Sequence, residues 1–264
     1  MKISVIIPCY NSEQNIIQVL LSIFSQTLAV HEVIVIDDGS TDQTIQILKK
    51  YENLGVLKYY EGTNKGPALS FLELLKKYKG YDYYAFSDQD DYWKQGKLKA
   101  AINRLGLNKV PTLYFSNAEI VDSRLEYLGS NVYKKSCNLS IETISCAGGI
   151  LGCTVVVNSS LAKFIQKYQE PKNIKMHDFY IAEVCLALGG KIIYDSDSHI
   201  KYRQHDDNVV GVAKGKLNAI KDRIQKIILK NEVGIDNQAK EILDIYGENI
   251  KEEERKWLEK VATY

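Results

Sequence analysis

Three times before residue 92 the chain repeats one unit: a short apolar run that ends in turn-forming or acidic residues. Ile3 to Ile7 runs into Pro8-Cys9-Tyr10-Asn11. Val33 to Ile36 runs into Asp37-Asp38-Gly39-Ser40. The aromatic stretch Tyr81 to Phe86 runs into Ser87-Asp88-Gln89-Asp90-Asp91. Near-continuous apolar runs of this length suit parallel strands covered on both faces. Helical patterns follow the first two, predicted over about Ser12 to Gln26 and Thr41 to Tyr51. Asn11 with Gln14, and Ser40 with Gln43, stand at capping-box spacing, which makes Ser40 a helix cap. A weaker strand near Val56 to Tyr60, a loop over Glu61 to Pro67 and a helix over about Ala68 to Tyr78 complete the order β-α-β-α-β-α-β. That alternation predicts an open α/β sheet.

The second half is mixed. Thr112 to Ala118 reads as a strand, and Gly148-Gly149 begins a glycine-rich turn into a strand ending at Val157. Ser159 or Ser160 caps a short helix. Met176 to Leu188 is a helix stopped by Gly189-Gly190, and Lys191 to Tyr194 is a strand. Beyond about residue 210 the chain becomes helical and charged. Lys214 to Lys230 sets Leu217, Ile220, Ile224, Ile227 and Ile228 near one face and six basic side chains over much of the rest. Such a helix either lies on an anionic membrane surface or packs on the rest of the chain with a solvated basic face. Glu241 to Val261 is more acidic and is expected to pack against it.

Composition narrows the class of protein. Of 264 residues, 45% are hydrophobic and 25% charged, ordinary values for a globular chain with a sizeable core. A net charge of +1 gives no global field for nucleic acid. No apolar run approaches the ~18 residues that span a bilayer, and the N-terminal apolar run is too short for a signal peptide. Five cysteines without a C-x-x-C pair read as reduced thiols in packing roles, which points to a cytoplasmic chain.

The ends of the predicted strands carry the chemistry. In open α/β sheets ligands bind beyond the carboxyl ends of the strands. Residues two apart on an extended chain point the same way, so Asp88 and Asp90 can face one spot past the strand end. Two carboxylates aimed at one spot repel unless a cation lies between them, and hard divalent ions take oxygen ligands that they share with substrate phosphates. Asp is also a common turn residue, so this cluster alone leaves both readings open. Asp37 or Asp38 can accept from a base N–H, Tyr10 can stack on the base, and Lys65 can bring a cation to a diphosphate. Glycine-rich phosphate loops are absent from these turns.

Together these segments resemble glycosyltransferase family 2. Val5-Ile6-Ile7-Pro8-Cys9-Tyr10-Asn11, Val35 to Asp42, Asn64-Lys65-Gly66 and Asp88-Gln89-Asp90-Asp91 stand in family order and at family spacing. Phe86 to Trp93, Gly152-Cys153-Thr154 and Tyr202 to Asn208 resemble the rhamnosyltransferase-like branch of bacterial surface polysaccharide synthesis. The resemblance implies a GT-A fold: an open, mixed, mostly parallel sheet flanked by helices, with a C-terminal helical extension. It places a catalytic domain at 1–210, with a nucleotide-binding half (1–110) and an acceptor half (111–210), and the extension at 211–264.

The same resemblance implies the roles. Pro8, Tyr10, Asn11, Asp37, Asp38, Lys65, Asp88 and Arg203 would hold the nucleotide. Asp90 with Asp88 and His205 would hold Mn²⁺ or Mg²⁺. Asp91, Trp93, Gly152 and His177 would shape the sugar or acceptor pocket, although Trp93 equally suits core packing. Asp178 would be the base that deprotonates the acceptor hydroxyl, or else a first-turn acid favoured by the helix dipole. The expected activity is inverting transfer of one sugar, L-rhamnose from dTDP-rhamnose first, to a saccharide or lipid-linked saccharide. The Gln-x-x-Arg-Trp motif of processive synthases is missing, which favours one addition per event. Alternatives are transfer from a UDP-hexose or UDP-N-acetylhexosamine, nucleotidyl transfer on a related sheet, or a non-catalytic sugar-nucleotide-binding subunit. The expected location is the cytoplasm, with segment 214–230 a candidate for contact with the inner face of the cell membrane.

Overall fold

A computed structural model describes residues 1–134, 137–204 and 233–263. The elements in chain order begin β1 (Ile3–Cys9), α1 (Ile16–Phe24), β2 (Glu32–Asp37), α2 (Thr44–Asn53), β3 (Lys58–Glu61), α3 (Pro67–Lys77) and β4 (Tyr83–Phe86). Next come β5 (Tyr92–Trp93), α4 (Lys97–Leu105), β6 (Thr112–Val121), β7 (Tyr127–Asn131), α5 (Ile141–Ala147), β8 (Val156–Asn158), α6 (Ser159–Lys167) and α7 (His177–Ala187). The thirteen-residue β9 (Lys191–Arg203) and the helices α8 (Ile235–Tyr246) and α9 (Glu252–Ala262) follow. The basic segment Lys214 to Lys230 and His205 lie outside the described residues.

The strands form one nine-stranded sheet in the order β3-β2-β1-β4-β8-β6-β9-β5, with β7 beside β6. β1, β2, β3 and β4 are mutually parallel, as are β6 and β9, while β8 runs antiparallel to β4 and β6. The chain winds outward from β1 through β2 to β3 and then returns to place β4 on the other side of β1. That reversal makes the carboxyl ends of β1 and β4 the switch point at which ligands bind in such sheets.

Alternation along β1 feeds two cores. Ile3, Val5 and Ile7 join α1, α2 and α4 on one face, and Ile6 joins α3, α6 and α7 on the other. Each fully buried Ile or Leu contributes about 1.5–3 kcal/mol. The helices α8 and α9 belong to the second core through Ala239, Ile242, Tyr246 and Leu258. Their polar fastenings include Gln238 Nε2 to Glu183 Oε2 (2.7 Å) and the hydroxyl pair of Tyr180 and Tyr246 (3.1 Å).

Helix starts differ from the sequence expectation. α1 begins at Ile16, not Ser12, and α2 at Thr44, not Thr41; neither has a side-chain cap from its N-cap residue. Asn11 and Ser40 tie the two loops to each other instead. Asn11 N donates to Ser40 Oγ (2.8 Å), and Thr41 N donates to Asn11 Oδ1 (2.8 Å). Asn11 has φ +48°, a left-handed conformation that Asn tolerates better than most side chains. The polar turn residues are spent holding the β1 and β2 loops together, which delays both helices by about a turn. Neither Ser159 nor Ser160 caps α6; Asn158 does, accepting from Leu161 N (3.1 Å).

Candidate active site

A cavity of about 580 Å³ opens at the switch point. One wall comes from the ends of β1, β2 and β4: Pro8, Tyr10, Asp38, Asp88, Gln89 and Asp90. The opposite wall is the glycine-rich turn after α5 and the start of α7, including Gly152, His177 and Asp178. Tyr10 N donates to Gln89 Oε1 (2.7 Å) and Ser12 Oγ donates to Gln89 O (3.0 Å), so Gln89 bridges the β1 and β4 loops. The Tyr10 side chain is 47% exposed, available for stacking. Asp38 accepts from Lys65 N (3.0 Å) and Gly66 N (2.7 Å) and thereby moulds the loop before α3.

The acidic run divides between the cavity and the interior. Asp88 and Asp90 line the cavity, with Gln89 between them on the same wall where the chain bends after β4. Asp91 does not reach it, in contrast to the expected role at the sugar or acceptor. Its carboxylate is fully buried, accepts from Arg203 N (3.0 Å) through Oδ1, and lies beside the Cys153 thiol. Burial pushes the Asp88 carboxyl up to about 8, helped by the negative charges of Asp90 and Asp178 and opposed by Lys97. Burial and the charges of Asp90 and Asp88 raise Asp91 as well.

Carboxylates that repel each other at one cavity wall are what a hard divalent cation relieves, so the Asp88 and Asp90 oxygens fit Mn²⁺ or Mg²⁺. Ligating atoms of Asp88, Asp91 and Cys153 lie within 4.8 Å of one another. Asp195, Asp197 and His199 form a second such group among the described residues. There Asp195 is already engaged by Tyr114 (3.0 Å), His199 (3.3 Å) and Arg104 (3.6 Å).

Asp178 sits in the first turn of α7, 5% exposed. Burial lifts its carboxyl to about 7, while the backbone N–H groups of Phe179, Asp178 and Gly152 oppose the rise. Phe179 N is 2.9 Å from Asp178 Oδ1. His177 is stacked on Phe71 with centroids 3.9 Å apart and lies near-parallel to Phe86 at 5.8 Å. Burial lowers its imidazole to about 3, so it is neutral, and both ring nitrogens lack partners. His177 therefore neither caps α7 nor hydrogen-bonds Asp178. Gly152 explains the close fit: a Cβ there would stand 2.5 Å from His177 Nε2 and 3.2 Å from Asp178 Oδ2.

Five more candidates fall outside the cavity wall. Asn11 is used in the loop tie above. Asp37 is buried and accepts from the N–H groups of Gly39 (3.2 Å) and Ser40 (2.9 Å), shaping the turn after β2. Lys65 extends to Glu73 on α3 (3.0 Å). Trp93 is fully buried in the core, the second of the two readings open to it. Arg203 is also buried, and its guanidinium donates to Asp90 O (2.8 Å), Gln18 Oε1 (2.6 Å) and Ser123 O. It braces the acidic loop from within the protein.

Three contributors had no role in the sequence reading: Gln89, Cys153 and Lys97. Gln89 stood inside the acidic motif, but only the fold shows its bridge. Lys97 left one signal, a basic residue in the first turn of a helix, where the dipole disfavours it.

The glycosyl transferase family 2 model matches residues 4–157, more than half of the chain. The chain belongs to glycosyltransferase family 2. It is 29% identical over 218 residues to the dTDP-rhamnosyl transferase RfbG of Shigella flexneri, covering 76% of this chain and 72% of that protein. It is 43% identical over 105 residues to the poly(ribitol-phosphate) beta-N-acetylglucosaminyltransferase TarS of Staphylococcus aureus, a stretch that is 38% of this chain and 18% of TarS. The crystal structure of TarS residues 1–349 with UDP-GlcNAc superposes with a TM-score of 0.59 at 24% identity, over 92% of this chain and 71% of that one. The mannosyltransferase PcManGT of Pyrobaculum calidifontis, with GDP-Man and Mn²⁺, superposes with a TM-score of 0.56 at 16% identity, over 99% and 79% of the two chains. These likenesses establish the GT-A fold. Among the described residues no helix is long and apolar enough to cross a membrane.

Proposed function

We propose that this chain moves one sugar from a nucleotide-sugar donor to an acceptor hydroxyl, with inversion at the anomeric carbon. The observation that carries the proposal is Asp178, a buried carboxylate raised to about 7 that shares one cavity with Asp88 and Asp90. A base with a pKa near the working pH combines the ionised form with useful proton affinity. Asp178 takes the proton of the acceptor hydroxyl as that oxygen attacks the anomeric carbon from the face opposite the diphosphate. His177, neutral and of low basicity, does not compete for the proton. Pro8, Tyr10 and Asp38 line the end of the cavity assigned to the nucleoside. Asp88 and Asp90 are the residues that would hold Mn²⁺ or Mg²⁺, which supplies stabilisation of the charge that grows on the departing diphosphate.

We place L-rhamnose from dTDP-rhamnose first as donor, supported by the motif resemblance and the identity to the Shigella rhamnosyl transferase. A UDP-hexose or UDP-N-acetylhexosamine is the second reading, supported by the likeness to TarS. The acceptor is a saccharide or lipid-linked saccharide of bacterial cell-surface polysaccharide synthesis, met at the inner face of the membrane. A non-catalytic sugar-nucleotide-binding subunit is the rival, and the pairing of Asp178 with Asp88 and Asp90 in one cavity speaks against it.

The test is a panel of radiolabelled dTDP-, UDP- and GDP-sugars, incubated with the full chain with and without Mn²⁺. Cation-dependent transfer or slow donor hydrolysis is expected for one of them. Binding without turnover of any member, with and without candidate acceptors, would return the rival reading.

A further inference from the structure

Lys97 is a buried cation that the reaction above does not use. It opens α4, where the helix dipole works against a positive charge, and its side chain is fully buried. The ammonium donates to the carbonyl oxygens of Phe86 (3.2 Å) and Cys153 (2.9 Å) and lies 3.3 Å from the Trp93 ring centroid. Burial lowers its ammonium to about 7, against the opposing charges of Cys153, Asp91 and Asp88. Burying an ammonium is costly unless it is fully partnered. A methionine would fill a similar volume without that cost.

What methionine lacks is donors for two carbonyls, and those carbonyls are unusually placed. Phe86 ends β4, two residues before Asp88. Cys153 follows Gly152, the residue packed against His177 and Asp178. The last backbone link between the two chains is Phe86 N to Val155 O (3.0 Å). Past that point β4 gives way to the acidic loop and β8 is preceded by a short 3₁₀ turn at Gly152–Thr154, so no ladder connects them. The Lys97 ammonium takes up the two carbonyls left there.

We propose that Lys97 is a positioning residue: it pins the Phe86 and Cys153 carbonyls together and so fixes the spacing between Asp88 and Asp178 across the cavity. This rests on the sugar-transfer reading for its kinetic consequence, though not for its structural one. A misplacement of about 1 Å between reacting groups can cost on the order of 10²-fold in rate.

Lys97→Met and Lys97→Gln in the full chain separate the pin from the alternatives. Met removes both donors, whereas Gln keeps an amide that can serve the carbonyls and removes the charge. Calorimetry with UDP and with dTDP in Mn²⁺ reads affinity and number of sites, and turnover uses the nucleotide sugar that the parent chain consumes. Lys97→Met is expected to keep about one site per chain at near-parental affinity while kcat falls on the order of 10²-fold. Lys97→Gln is expected to stay within about tenfold of parental kcat. Hydrogen exchange, which needs no substrate, should rise in Met but not in Gln at 86–91 and 151–155.

Parental kcat in Met, a Gln variant as impaired as Met, or activity lost only in proportion to lost sites would each overturn the proposal. If Met does not fold, Gln decides: a hundredfold loss of kcat at unchanged affinity rejects the pin. A parent chain that consumes no nucleotide sugar refutes the sugar-transfer reading instead, and the exchange data still decide whether Lys97 pins the two segments.

Discussion

Asp178→Asn should make the protein more stable and nearly inactive at the same pH. Burial lifts the Asp178 carboxyl from 3.8 to about 7. Because the folded pKa is raised, the folded chain holds its proton more tightly than the unfolded chain between about pH 4 and about pH 7. Stability from this residue is thus fully present below about pH 4 and is lost as pH rises through about 7. A rise of about three units at about 1.4 kcal/mol each sets an upper bound of about 4 kcal/mol for the cost of the ionised carboxylate. Asn carries no such cost. With a chelator present, urea unfolding at pH 8 should find Asp178→Asn more stable by up to that amount, and the gap should close near pH 4. Turnover should fall about 10²–10⁴-fold, the usual contribution of a general base, and wild-type kcat/KM should climb as pH passes through about 7. A variant less stable than the parent at pH 8, or one with near-normal transfer, would refute the account of Asp178 as a buried, strained base.

Asp90→Ala should abolish Mn²⁺-dependent nucleotide binding in calorimetry while leaving the Asp90 backbone carbonyl in the grip of Arg203 (2.8 Å). Gly152→Ala should cost about 1–3 kcal/mol by overpacking and reduce transfer at unchanged donor affinity, since its Cβ would stand 2.5 Å from His177 Nε2; a thermal melt and donor titration check both. Lys65→Ala should change stability by less than about 1 kcal/mol, because its ion pair with Glu73 is solvent-exposed.

The sheet was legible because its strands announce themselves twice, by apolar runs and by the polar clusters that end them. β1, β2 and β4 fall where those runs fall. Less legible was where helices start, because Asn11, Ser40 and Asp42 are good capping residues by type. The structure gives Asn11 and Ser40 other partners: Ser40 takes Asn11 N and Asn11 takes Thr41 N, while Asp42 serves both the first N–H of α2 (Thr44, 2.9 Å) and the β1 loop (Glu13 N, 3.1 Å). Capping propensity records a residue's capacity to accept from backbone N–H groups, and a second loop brought close by the fold supplies such groups as well as a helix does. β9 was longer than expected for a related reason. Its continuation past Tyr194 carries Asp195, Ser196, Asp197, Ser198 and His199, a polar run unlike a strand, held by pairing to β6 and by the register shift near Asn117.

The site shows the same division between what spacing fixes and what only contact fixes. Asp88, Gln89 and Asp90 line the cavity in succession and Asp91 turns inward, because the run bends at Gln89 and Asp90 instead of staying extended. One family match extended over the whole acidic run could not make that distinction. For Asp178 no spacing rule exists, since ninety residues separate it from Asp88. Its placement depends on a glycine at 152 that lets the turn before β8 lie against α7, and on burial beside His177, which is itself stacked on Phe71 and Phe86. Burial is also what gives Asp178 a pKa near 7, so the residues that hide the base are the ones that make it basic. Loosening that packing should therefore lower the pH at which kcat/KM rises, even where Asp178 itself is unchanged. Phe71→Ala tests this directly. Water admitted beside His177 should move the midpoint of the kcat/KM profile from about 7 toward the ordinary carboxylate range. A midpoint that stays near 7 in a folded Phe71→Ala variant would show that something other than burial sets it.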